Sequence, residues 1–212
     1  MFVHGLMGWG QRAGINAMLP YWGMTTGSLT SYLNSLGYET YSATVGPISS
    51  AWDRACELYA QLTGTRVDYG IVHSAEKDHD RFGITYDEPL FNGWSADKKI
   101  NLIGHSFGGA TIRMFLEILT NGAPEEVAAA KAAGVEVSPF FKGGRGDWGY
   151  SLTAVSAPHN GTTFIEKCDI STDVVTNFVY NIGASLGITK FKGMYDLQLE
   201  HFGIYQKDGE TD

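Results

Sequence analysis

The sequence predicts an α/β fold, a mostly parallel sheet with helices on both faces, and three observations predict it. Apolar strand candidates at 38–45, 100–103 and 152–155 alternate with helical patterns, as parallel strands joined by crossover helices require. The run Ile100 to Ile103 leads into Gly104-His105-Ser106-Phe107-Gly108, and a helical pattern over 110–119 follows. That strand–turn–helix setting is the one a nucleophile elbow needs. The length, 212 residues, suits a single domain with a sizeable core.

The elements follow in chain order. Phe2 and Val3 are a short strand ahead of His4-Gly5. Leu29, Tyr32, Leu33 and Leu36 recur at helical spacing over 28–36, and Gly37 is placed to end that helix. After the strand at 38–45, the pattern repeats over 50–62 with Ala55, Leu58, Tyr59 and Leu62 inward. Residues 67–89 are rich in His, Asp and Tyr with weak periodicity, and read as an irregular insertion that binds something or is disordered. Pro124 opens a helix that runs to Gly134. Over 172–188, Val174, Val175, Phe178, Val179, Ile182 and Leu186 share one face, and 174–189 carry no charge. Such a helix is buried or covers something apolar. Both ends read as cut: only Met1, Phe2 and Val3 precede His4, and the polar tail 206–212 closes no element. The chain is therefore expected to be a fragment of a larger protein.

Fifteen basic against twenty-three acidic residues give a net charge of −8, which argues against a nucleic-acid partner. No run is long enough to span a membrane, and no signal peptide is visible. Cys56 and Cys168 lie far apart and read as small buried apolar residues rather than a bridge.

The chemistry centres on Ser106. Gly104 and Gly108 clear the space that a sharp turn requires and leave the serine hydroxyl exposed at the sheet edge; the alternative is a glycine-rich turn with a surface serine. A serine nucleophile needs a histidine base oriented by a carboxylate, in the chain order Ser, Asp or Glu, His. Only His159 and His201 follow Ser106. His159 reads as a loop histidine, and Asp196 and His201 sit close together on one amphipathic segment, so the acid and base are expected beyond Asp212. The N–H after the nucleophile, Phe107, is one oxyanion donor, and Leu6 in His4-Gly5-Leu6 is the second; His4 is then a structural histidine under the loop.

Several segments together carry a resemblance: Phe2-Val3-His4-Gly5-Leu6-Met7-Gly8-Trp9-Gly10, Val45 to Glu57 with Ala51-Trp52-Asp53-Arg54-Ala55-Cys56, Val67-Asp68-Tyr69-Gly70, Asp80-Arg81-Phe82-Gly83, Ala157-Pro158-His159-Asn160-Gly161-Thr162-Thr163 and Tyr195-Asp196. In order and spacing they resemble the thermoalkalophilic bacterial lipases of the Geobacillus and Staphylococcus type, over nearly the whole chain. The resemblance implies an α/β-hydrolase fold, truncated at both ends, and a triacylglycerol lipase with Ser106 as nucleophile and oxyanion donors at Leu6 and Phe107. It places the catalytic Asp and His, and a calcium site, after Asp212, so that the fragment alone is inactive. Three positions depart from the family: Leu6 stands where Phe is usual, Phe107 where Gln or Met is, and Gly104 where the thermophilic members have Ala.

The resemblance also implies a zinc-binding insertion over 53–89, with structural zinc on Asp53, His73 and His79 and a fourth ligand, an aspartate, beyond the chain end. Two imidazoles with carboxylates suit a closed tetrahedral zinc site. The alternatives stay open: Asp53, three residues after Ser50, completes a capping box, and His73 and His79 are solvated residues among acidic neighbours. The uncharged helix within 171–190 corresponds to the family's lid, or is a plain buried helix. Lipid or ester substrates, action at a lipid–water interface and secretion follow from the same resemblance. Two other functions remain: a short-chain or polyester-cleaving carboxylesterase without interfacial activation, and a non-catalytic hydrolase-like binding module.

Overall fold

The computed structural model describes residues 1–161 and 194–203. The chain runs β1 (Phe2–Val3), α1 (Leu29–Ser35), β2 (Ser42–Ala43), α2 (Ala51–Thr63), β3 (Arg66–Asp68), α3 (Ile71–Lys77), β4 (Phe82–Thr85), β5 (Ile100–His105), α4 (Phe107–Asn121), α5 (Pro124–Ala133) and β6 (Gly149–Val155). The 171–190 helix and Cys168 lie outside the described residues.

The helix ends follow local chemistry. Ser28 caps α1 by accepting from the Ser31 N–H, and Gly37, at φ +88°, follows its last turn. Ser50 and Asp53 form a reciprocal capping box on α2, which ends at Gly64 in the left-handed region. Pro124 occupies the first turn of α5, where its missing N–H has no intrahelical acceptor to lose, and Gly134 ends it.

The sheet has the order β2-β1-β5-β6, and every pairing in it is parallel. The strand expected at 38–45 pairs only over Ser42–Ala43, while β6 begins at Gly149, ahead of the expected 152. α4 packs on β1, β5 and β6, and α2 packs on α4. Between them lie Leu58, Leu62, Ile112, Phe115 and Leu119, all buried, together with an aromatic stack in which Phe140 meets Tyr59 at 4.7 Å and Phe115 at 5.4 Å. Each such side chain contributes about 2–3 kcal/mol by leaving water.

The 67–89 stretch, expected to be irregular, is instead regular: β3 and β4 pair antiparallel, and α3 lies between them. The hairpin is held by side chains as much as by its short ladder. Arg81 makes a bidentate contact with Asp68 at 2.8 and 2.9 Å, and Arg66 and Arg81 each lie 4.6 Å from the Phe82 ring centroid. Elements of three to seven residues are too short for hydrophobic periodicity to reveal.

Where α4 crosses β1 the backbones touch. A Cβ on Gly108 would lie 2.2 Å from the Val3 carbonyl oxygen and 2.6 Å from that of His4. Gly108→Ala is therefore expected to lower unfolding free energy by about 3 kcal/mol, the upper range for overpacking. Urea denaturation of the variant beside the parent measures this, and equal midpoints would contradict the close approach.

Candidate functional site

Ser106 sits between β5 and α4 at φ 54° and ψ −126°, a conformation sparsely populated by residues with a Cβ. Such a residue costs on the order of 1–3 kcal/mol and persists only where its surroundings over-determine it. Here the Ser106 N–H donates to the Val155 carbonyl at 2.9 Å, and its own carbonyl accepts from the Gly109 N–H at 3.0 Å. Glycines make the bend possible: a Cβ on Gly104 would lie 2.4 Å from the Gly108 oxygen, and one on Gly5 would lie 2.9 Å from Ser106 Cβ. The second contact brings the loop after β1 directly against the elbow.

That loop has a particular pattern of backbone bonds. The Gly5 N–H donates to the Tyr21 hydroxyl at 3.0 Å, the Met7 N–H to the Pro47 carbonyl at 2.9 Å and the Gly8 N–H to the Gly5 carbonyl at 3.2 Å. In the run 5–8 the Leu6 amide alone has no acceptor among the described residues. Phe107 opens α4, so its N–H also has no intrahelical acceptor. The Tyr21 hydroxyl, 2.6 Å from His105 Nδ1, ties loop and elbow together.

His4 lies under the loop, fully buried. Its Nε2 accepts from the Val45 N–H at 3.3 Å, so in the neutral ring Nδ1 carries the proton and donates to the Gly5 carbonyl at 2.8 Å. Burial, with the Arg54 charge beside it, pulls its pKa down to about 3. His4 is a neutral structural residue.

The His159 ring packs beside Gly109 in the first turn of α4. Asp196 accepts from the Gln198 N–H at 2.7 Å instead of pairing with His201, which faces Asp53. Among the described residues no histidine hydrogen-bonds the Ser106 hydroxyl.

A second group of side chains forms around Asp53. Its Oδ2 closes the capping box, at 2.7 Å from the Ser50 hydroxyl, while Oδ1 lies 2.9 Å from His73 Nε2 and 3.6 Å from His79 Nε2. His201 Nε2 lies 3.7 Å from Oδ2. The sequence raised capping and metal ligation as alternatives for Asp53; the capping box is present, and Oδ1 is left facing two histidines. Burial alone would push this carboxyl up, but the His201, His73 and Ser50 side chains beside it outweigh burial and hold it well below the usual carboxylate range. Glu126 of α5 places His73 by accepting from the Val72 and His73 N–H groups at 2.9 and 2.8 Å, and Trp52 stacks on the His73 ring at 5.1 Å.

The donor set fits a metal cation. Asp53, His79 and His201 each offer a ligand atom within 4.8 Å of the others. His79 Nε2 and His201 Nε2 are buried without a hydrogen-bond partner among the described residues. The His79 Nδ1 lies 2.9 Å from the Asp80 carbonyl and donates to it, so in the neutral ring the Nε2 lone pair faces the Asp53 carboxylate. In that form a cation between the nitrogen and the carboxylate would satisfy both, and a ligating histidine ordinarily anchors its other nitrogen in this way. The fourth position, which the family resemblance puts after residue 212, thus has a candidate inside the chain in His201. Sequence reasoning passed over it because it was weighed only as a partner for Ser106. Glu200 lines the cavity beside the same histidines, about 300 Å³ in volume.

The family described as "Lipase-like, C-terminal domain" matches residues 1–212. The chain is 38% identical over 211 residues to "Lipase" of Staphylococcus epidermidis, and 36% identical over 213 residues to "Lipase 1" of Staphylococcus aureus. In both cases all of this chain aligns, but it spans only 30% of the relative's length. Among solved structures, Staphylococcus hyicus lipase superposes with a TM-score of 0.85 at 37% identity, covering 99% of this chain and 53% of that one. EstA from Clostridium botulinum gives a TM-score of 0.83 at 39% identity, covering 99% and 47%.

The depressed His4 pKa has a consequence for acid stability. Unfolding restores an ordinary histidine, so the folded chain binds fewer protons and loses stability as pH falls from about 6.5 towards 3, at about 1.4 kcal/mol per pH unit. Between pH 6.5 and 5 this amounts to about 1.6 kcal/mol, because the full slope is reached only below about pH 6. Denaturant titrations at the two pH values are expected to show that difference, and His4→Gln to shrink it.

Proposed function

Because the chain belongs to the lipase-like C-terminal domain family, we propose that it carries the nucleophile-bearing part of a serine carboxylic-ester hydrolase acting on triacylglycerols, built on an α/β-hydrolase fold. The observation that carries this reading is the strained Ser106 beside two amides, Leu6 and Phe107, that have no acceptor among the described residues. The Ser106 hydroxyl attacks the acyl carbonyl, and the Leu6 and Phe107 N–H groups receive the charge that develops on its oxygen. A histidine and aspartate following residue 212 take the serine proton and return it to the leaving alcohol. Water then releases the fatty acid and regenerates the serine. Lipid esters at a lipid–water interface are the substrates, the segment 171–190 is the lid over the acyl site, and the protein is secreted.

Zinc is the proposed metal. Asp53, His73 and His79, joined by His201, would hold it in an insertion spanning 53–89, and bound zinc would supply a structural cross-link there. Three imidazoles and one carboxylate favour zinc over magnesium or calcium, which prefer all-oxygen sites.

In the complete gene product, Ser106→Ala is expected to cut hydrolysis of p-nitrophenyl butyrate and of a triglyceride emulsion by at least about 10³-fold. Full residual activity would overturn the assignment, and a rate indifferent to the emulsion interface would favour the carboxylesterase. Metal analysis of the purified protein is expected to find about one equivalent of zinc. His79→Ala and His201→Ala should each deplete it, and unchanged metal content in both would remove the site.

A further inference from the structure

Arg54 of α2 has no solvent exposure, and burial pulls its pKa down to about 10 even though the nearby Glu57 opposes the shift. A cation stripped of its hydration must recover those interactions from the protein. Its Nη2 donates to the His4 carbonyl and its Nη1 to the Gly5 carbonyl at 3.4 Å. Nε has no hydrogen-bond partner among the described residues, so the directed bonds of this guanidinium go to one dipeptide. The guanidinium carbon also lies 5.1 Å from the centroid of the Phe107 ring.

These partners are the residues that carry the oxyanion donors. The Gly5 carbonyl and the Leu6 N–H belong to the same peptide unit, and no cis peptide is present among the described residues. In a trans peptide the two groups point in opposite directions. A cation bonded to the carbonyl therefore leaves the N–H directed away from it. It also draws electron density towards the carbonyl oxygen, which makes that N–H a stronger donor. His4 Nδ1 donates to the same carbonyl, so the peptide is gripped twice from beneath. On the other side of the hole, Arg54 packs on the side chain of Phe107, whose amide is the second donor.

We infer that Arg54 is a positioning residue for the oxyanion hole: it orients and polarises the Gly5–Leu6 peptide and braces Phe107, while touching no substrate itself. The inference rests on the assignment of Leu6 and Phe107 as oxyanion donors. It makes the buried charge part of transition-state stabilisation, so its removal affects kcat rather than substrate binding.

The test is a cycle in the complete gene product, with p-nitrophenyl butyrate as substrate and thermal unfolding as a check on folding. Leu6→Pro deletes the donor N–H and should lower kcat by about 10²-fold. Arg54→Met is expected to lower kcat by about 10- to 100-fold with KM within about twofold, and Arg54→Lys, which keeps the charge but loses the fork, by about threefold to tenfold. In the Leu6→Pro background, Arg54→Met should cost less than about twofold, since the group it acts through is gone. A folded Arg54→Met with unchanged kcat, or losses that multiply in the double variant, would overturn the inference while leaving the oxyanion assignment intact. A harmless Leu6→Pro would overturn both. If Arg54→Met does not fold, Arg54→Lys decides, and an unchanged kcat there is fatal to the proposal.

Discussion

Every residue of α2 from Asp53 to Leu62 is buried, and four of them carry charged or amide side chains that must meet their hydrogen-bonding needs inside the protein. They do so by binding the chain around them. Arg54 holds the carbonyls of the loop after β1, and Gln61 pairs with both backbone groups of Thr44 at 3.0 and 2.9 Å. Glu57 accepts from the Gly46 N–H and, at 3.0 Å, from the Tyr69 hydroxyl, while Asp53 faces the histidines. The loops leaving β1 and β2 are thus fastened to one helix. Burial pushes the Glu57 carboxyl up to about 7, so the same enclosure that makes these bonds strong makes their charges costly.

The elbow and the helix serve each other. Ser106 is held in its unusual conformation by a ladder on either side: β5 pairs with β1 through Ile103 and Gly104, and with β6 along its whole length to His105. A strand anchored on both edges resists relaxation at its end, which is what a strained turn requires. Gly5 closes the arrangement, since its missing side chain lets the loop gripped by α2 rest on Ser106.

Much of this was legible in the residues, and the rest was hidden for physical reasons. The elbow, the capping box at Ser50 and Asp53, and the inward face of α2 each depend on neighbours a few positions apart, which a sequence displays directly. The hairpin of β3 and β4 escaped notice because Arg81, Asp68 and Phe82 stabilise it by pairing rather than by periodicity. His201 escaped because its partners, Asp53 and His79, are distant in the chain and no local pattern joins them. Arg54 was read only as part of the segment Ala51-Trp52-Asp53-Arg54-Ala55-Cys56, with no role of its own. A guanidinium needs a mapped environment before its role shows, since composition places arginine outside by default.

Trp52 stands between the two halves of this organisation. Its indole N–H donates to the Tyr69 carbonyl at 2.8 Å, one face stacks on His73, and Phe141 of the core stacks on it at 5.6 Å. An indole stacked on a histidine that faces Asp53, the carboxylate proposed to bind metal, is an optical probe already built into the chain. Its emission should be quenched when a paramagnetic ion such as cobalt or copper occupies the site and left bright by zinc, so the share of the five-tryptophan fluorescence that Trp52→Phe removes can follow which ion is bound without a label.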